Sequence, residues 1–174
     1  MLSNVKTSLE TFAKRVTSRA RANLTRNKMN VSKDLYNSLD YNKAVDLNVS
    51  KNSFSLSFYL EDYADFQDKG VSGTERKYNT PYSYKASSNL LGFELATGTF
   101  ARWAKFRGIR FRSLGGQFAK GNYKSIGVAI AIAKKKKGIK PTHFFTKPFE
   151  AAFKDLPSEV VDAFGLDLNN IITE

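Results

Sequence analysis

The 174-residue sequence contains no cysteine, a single histidine at position 143, one tryptophan and four prolines. Without cysteine there is no disulfide framework, no thiolate nucleophile and no thiolate zinc site. One histidine excludes any centre built on two imidazoles. Long hydrophobic runs are missing as well. The longest nearly apolar stretch, Ile126 to Ala133, falls far short of the roughly 20 residues that a bilayer span needs. The first residues, Met1-Leu2-Ser3-Asn4-Val5-Lys6, lack the charged-then-apolar order of a signal peptide. Neither GxxxxGK[ST] nor GxGxxG occurs, and no RRM, KH, zinc-finger or clear helix-turn-helix signature is present. These absences argue against an enzyme, call for no cofactor or metal, and predict a soluble protein made inside the cell.

Acidic residues are missing from one region only. The net charge is +12, yet residues 1–40 contribute +5, residues 41–100 contribute −1 and residues 141–174 contribute −4. Residues 101–140 hold twelve basic groups and no acidic one. A stretch that cannot neutralise itself is expected to face an acidic partner, either nucleic acid or an acidic protein surface. The competing reading is a solvated face that only keeps the protein soluble. The apolar fraction of 41% is enough for a core, and the length suits one domain with a large insertion.

Periodicity divides the chain into elements. Val5, Leu9, Phe12, Val16 and Ala20 recur at helical spacing and predict a long amphipathic helix over 4–28. A second helical piece over 32–39 begins at a candidate N-cap, Ser32. Val45, Leu47 and Val49 alternate with polar residues, as do Phe54, Leu56, Phe58 and Leu60 after the turn signal at 50–53. This predicts a β-hairpin with one apolar face. Gly70-Val71-Ser72-Gly73 reads as a turn. Residues 74–92 read as a long polar loop, too polar to form a core and expected to order mainly against a neighbouring subunit. A helix over 94–106 should stop at Gly108, and a short basic strand and turn should follow over 109–118. A helix over 122–137 should end in Lys134 to Lys137 with Gly138 closing it. Pro148 suits the first turn of a short helix. Val160, Val161, Phe164, Leu168, Ile171 and Ile172 form the apolar side of a last helix over 158–172.

Few groups carry chemistry. The carboxylates Glu61, Asp62, Asp65 and Asp68 sit on a candidate loop and read as solvated rather than metal-binding. His143 has no partner implied by spacing. The interleaving of Arg102, Trp103, Lys105, Phe106, Arg107, Arg110, Phe111, Arg112 and Phe118 is more informative. Either the rings stack on bases while the cations neutralise phosphates, or the rings point to the core and the cations to water. The sequence leaves both open.

The order of three segments resembles a known family. Leu35-Tyr36-Asn37-Ser38-Leu39 follows the long helix. Tyr63-Ala64-Asp65-Phe66-Gln67-Asp68-Lys69-Gly70 follows the hairpin. Gly138-Ile139-Lys140-Pro141-Thr142-His143-Phe144-Phe145-Thr146-Lys147-Pro148-Phe149 precedes the last helix. This succession is similar to the neck and tail-completion proteins of tailed bacteriophages, a group that includes minor tail protein Z-like proteins. Residues 74–125 depart from the pattern as an insertion within a single domain, 1–174.

The resemblance implies an α+β fold: a long N-terminal helix and C-terminal helices packed on a small antiparallel sheet, with a basic insertion. The elements read from the residues are the same. It implies a non-enzymatic structural protein of the virion. Such a protein forms a ring of six or twelve copies at the head–tail junction, assembled in the host bacterial cytoplasm. It contacts the portal or adjacent neck and tail proteins, extends the genome channel, and has no membrane partner. Phe144, Phe145 and Phe149 are the expected anchors of the closing segment. Arg102, Lys105, Arg107, Arg110, Arg112 and Lys134, Lys135, Lys136 and Lys137 are the expected partner- or DNA-facing cations, gathered on one side. An acidic neighbouring protein is favoured over channel DNA for that face, because a strongly attractive channel would retard the genome. The alternative function is a non-specific nucleic-acid-binding protein using residues 101–140.

Overall fold

The computed structural model describes residues 2–27, 33–50, 53–112, 116–117 and 122–173, with the side chains of 171–173 excepted. The chain divides into two compact units. One is made of residues 1–64 and 143–174, the other of residues 65–142. The expected insertion, 74–125, lies inside the second unit.

The first unit is built on α1, Ser3–Arg26, a helix uninterrupted by glycine or proline. Its stripe is wider than five residues: Leu24, Ala13 and Thr17 are buried alongside Val5, Leu9, Phe12, Val16 and Ala20. Two short helices follow, α2 at Asp34–Ser38 and α3 at Tyr41–Ala44. Ser32 lies outside the described residues, and Lys33 precedes α2 in a left-handed conformation with no side-chain cap. Asp40 caps α3 by accepting from the Asn42 N–H at 3.2 Å. Strands β1, Val45–Val49, and β2, Phe54–Phe58, then pair antiparallel in the register Val45 to Phe58 and Leu47 to Leu56. Because side chains alternate across a strand, Leu47, Val49, Leu56 and Phe58 all pack onto the core. Phe54, at the hairpin end, is exposed.

The chain returns to this unit at His143. Helices α8, Thr146–Phe153, and α9, Leu156–Thr173, pack on α1. The sheet, α1 and the two C-terminal helices share one core, so the fold is α+β. Phe12, Phe58 and Phe149 meet edge to face with centroids 5.7 to 6.2 Å apart, and Phe145 adds a fourth ring 5.4 Å from Phe58. This is the geometry that aromatic quadrupoles favour. A second cluster beside it joins Ala20, Leu24, Leu35, Leu39, Ala64 and Phe144.

The second unit holds α5, Leu90–Thr97, α6, Thr99–Phe106, and α7, Tyr123–Lys137. A short helix, α4, Ala64–Asp68, spans the passage between the units. The single helix expected over 94–106 is two helices broken at Gly98, which adopts φ +61°. Residues 70–73 are not a turn. Val71 bridges Ile139 and Ser72 bridges Ser83. Gly70 sits at φ +78°, and a Cβ there would lie 2.6 Å from the Ile139 carbonyl oxygen. No side chain fits that close approach.

The polar loop after Gly73 is tied down by its own unit rather than left for a neighbour. The N–H groups of Thr74 and Glu75 donate to the Lys135 and Lys136 carbonyls at 2.9 and 3.0 Å. Ser72 and Tyr82–Tyr84 exchange two backbone bonds of 2.8 Å. The Tyr82 hydroxyl donates to Asp65 at 2.8 Å.

Candidate functional site

The basic–aromatic segment owes its position to one buried carboxylate. Glu94 on α5 is 3% exposed and accepts from the backbone N–H groups of Phe100 at 2.6 Å and Ala101 at 2.9 Å. Both belong to the first turn of α6, whose N–H groups have no partner within the helix. A negative charge at a helix N-terminus also complements its dipole. Glu94 thereby folds α6 back beside α5, with Phe93 and Phe100 edge to face at 6.4 Å. Helix α6 buries Ala104 and packs along α7, which buries Ile126, Gly127 and Ala131.

The opposite arc of α6 carries Arg102, Lys105 and Phe106, all exposed, flanked by Trp103 and Arg107. Phe106 is 71% exposed and Trp103 36%. The Arg107 guanidinium lies 5.7 Å from the Trp103 ring centroid, within cation–π range. The helix closes at Gly108, φ +64°, where Ile109 N–H donates to the Ala104 carbonyl and Gly108 N–H to that of Lys105. This Schellman pattern is the stop expected of Gly108. Arg110, Phe111 and Arg112 follow and are exposed. Of the strand and turn expected over 109–118, residues 113–115 and 118, and with them Phe118, lie outside the described residues. Residues 109–111 form no strand. Of the two readings the sequence left open, Trp103, Phe106 and Phe111 take the outward one.

The four lysines at the end of α7 behave differently. Lys134 is half-buried, and that desolvation lowers its pKa from the ordinary lysine value. Lys135 donates to the Ala86 carbonyl at 2.6 Å, and Lys136 pairs with Glu75 at 2.9 Å. Lys135 and Lys136 hold the 74–86 loop, so two of the four expected partner-facing lysines bond within their own unit, and Lys134 is partly withdrawn from the surface. Lys137 is exposed.

Charge separates along the same boundary as the fold. Residues 65–142 carry sixteen basic and four acidic side chains, while the remainder carries twelve of each. The whole excess of +12 therefore belongs to the second unit. Its four carboxylates are engaged. Asp65 accepts from Lys69 at 3.0 Å and from Tyr82, and these bonds hold its pKa below the usual value. Asp68 is buried, Glu75 pairs with Lys136, and Glu94 caps α6. Among the described residues no group of three or more His, Asp or Glu side chains could hold a metal ion. None of their helices is long and apolar enough to cross a membrane. His143 stands at φ +49°, a left-handed conformation uncommon outside glycine, at the re-entry to the first unit.

In that first unit, Phe144 is fully buried, whereas Phe145 and Phe149 are half-buried against the core. The last helix departs from expectation. Its buried face is Leu156, Ala163 and Asp167, with Val160 partly covered. Val161, Phe164 and Leu168 form a neighbouring stripe at i, i+3 and i+7 that is exposed, Val161 at 69%. Counting large apolar residues misses this, because the inward face is led by an alanine and a carboxylate.

No family model, no curated protein and no solved structure matches this chain.

Proposed function

We propose that this chain is a structural virion protein that forms a ring at the head–tail junction of a tailed phage. In this role it joins portal-side to tail-side components around the genome channel. The observation that carries the reading is the meeting of two segments that bear the resemblance, some seventy residues apart in sequence. The Thr142 hydroxyl and N–H both donate to the Gln67 carbonyl, at 2.7 and 3.3 Å, Val71 pairs with Ile139, and Gly70 lies against Pro141. The two segments thus meet within the second unit, and their meeting supports reading them together. The fold class implied by the resemblance is also the one observed.

A ring needs self-contacts, and the first unit supplies a surface suited to them. It carries no net charge, so a contact made through it adds no net repulsion of its own to that between the basic second units. The exposed stripe Val161, Phe164 and Leu168 is the surface proposed to meet the next copy. Six or twelve copies would close the ring, with the portal or adjacent neck and tail proteins above and below.

Light scattering at high salt tests the self-association. Discrete six- or twelve-fold particles, formed alone or on addition of a portal ring, support the reading. A monomer under every condition, with Val161→Asp changing nothing, opposes it.

A further inference from the structure

We infer that the surface of the second unit formed by Arg102, Trp103, Lys105, Phe106, Arg110 and Phe111 binds single-stranded nucleic acid. The inference does not rest on the ring reading. Three observations carry it. The second unit holds the entire charge excess of the protein, and its few carboxylates are spent on internal bonds. Arg102, Lys105 and Arg110 are exposed and make no ion pair among the described residues. Between them stand three exposed aromatic rings, Phe106 at 71%.

Each part excludes something. A face that merely keeps the protein soluble has no use for exposed Phe and Trp, whose hydration is unfavourable. A surface that reads duplex DNA through phosphates alone needs cations and no rings. Flat rings between cations match an unpaired strand, whose bases offer π-faces at intervals while its phosphates run alongside. Such stacking is indifferent to base identity, because every base has a π-face. The rings are also pre-positioned: Glu94 and Gly108 fix both ends of α6, so binding need not order the helix.

The test uses the full chain and fluorescence anisotropy with a labelled thymidine oligomer, a duplex of equal length, and polyglutamate as competitor, over a salt series. The oligomer is expected to bind more tightly than the duplex and to resist polyglutamate. Phe106→Ala and Trp103→Ala should each weaken it about 5- to 100-fold with little change in salt slope. Arg102→Gln with Arg110→Gln should lower the slope of log K against log salt by about 1.4. Circular dichroism checks that the variants fold, and Phe111→Ala stands in if Trp103→Ala does not. Absence of binding at low salt overturns the inference. Equal binding of duplex and single strand, unaffected by the ring truncations, reduces the surface to a general polyanion site and also overturns it. Displacement by polyglutamate as readily as by unlabelled oligomer does the same and assigns the face to an acidic protein.

Discussion

The Asp167 carboxylate, on α9, caps the N-terminus of α1 by accepting the Asn4 backbone N–H at 3.0 Å. It also accepts the Val5 N–H at 3.0 Å, the Asn4 side-chain amide at 2.8 Å and the Ser3 hydroxyl at 3.2 Å. Leu2, at the N-cap position of α1, has no side chain that can do this. The first and last helices of the chain are thereby locked in register across 163 residues. Glu94 does the same for α6 from the preceding helix, so each unit is organised by one buried carboxylate at a helix N-terminus.

Burial pushes the Asp167 carboxyl upward, but the N–H donors of Asn4 and Val5 outweigh it and hold its pKa below the usual value. A carboxyl whose folded pKa is depressed stabilises the fold above its unfolded pKa, about 3.9. That contribution is lost as pH falls through the lower folded value. Asp167→Asn is therefore expected to melt below wild type at neutral pH. The gap between the two should narrow as pH drops below about 4. Paired thermal melts from neutral pH to pH 2 measure it, and a gap independent of pH would remove the charge from the account.

The closing segment anchors through Phe144 more than through Phe145. Phe144→Ala should cost about 3–5 kcal/mol, as for other fully buried rings. Phe145→Ala, at a half-buried ring, should cost less. Denaturant titration of both variants checks the order, and a larger loss at Phe145 would contradict it.

Gly127 lies in the middle of α7, where alanine would ordinarily improve helix propensity by about 1 kcal/mol. Here an added Cβ would collide with Glu94 Oε1 and approach the Ala101 backbone nitrogen to 2.8 Å. Gly127→Ala is expected to destabilise the protein instead. Combined with Glu94→Ala it should cost less than the two single losses added together, because the collision is removed once. A stabilising Gly127→Ala would mean that Glu94 moves freely, and that α6 does not depend on it.

Lysine 134 contrasts with its neighbour Lys137. Its half-buried ammonium is desolvated and its pKa is lowered, so burial of the charge opposes folding. Lys134→Met should raise the melting temperature, whereas Lys134→Glu should lower stability by about 1–3 kcal/mol. Lys137→Glu, at an exposed position, should change it by less than about 0.5 kcal/mol. Reversing all four lysines would therefore perturb the fold as well as any partner, which makes Arg102 and Arg110 the better probes of binding.

The legible parts of this fold are the local ones. The alternation of Val45, Leu47 and Val49 with Leu56 and Phe58 fixes the hairpin, and the spacing from Val5 to Ala20 fixes the long helix. The break at Gly98 was not legible as a boundary, because the cap of the second helix comes from Glu94, on the helix before it. The second unit is closed in part where Val71 meets Ile139, a pairing that no local pattern announces. The outward stripe on α9 was hidden for a similar reason: Asp167 looks like a surface residue until Asn4 and Val5 are brought to it. The basic–aromatic segment was visible as a composition, but its direction was settled only when Ala104 took the inward face of α6.

The proposed ring role is tested most directly by co-purification with a tailed-phage portal ring, followed by measurement of the mass bound. Stable association is expected in a fixed stoichiometry of six or twelve chains, each of 19.5 kDa, per portal ring. Val161→Asp with Phe164→Asp is expected to lower that occupancy while the isolated chain stays folded. A portal ring that emerges free of the chain, with the chain running as a monomer beside it, would contradict it.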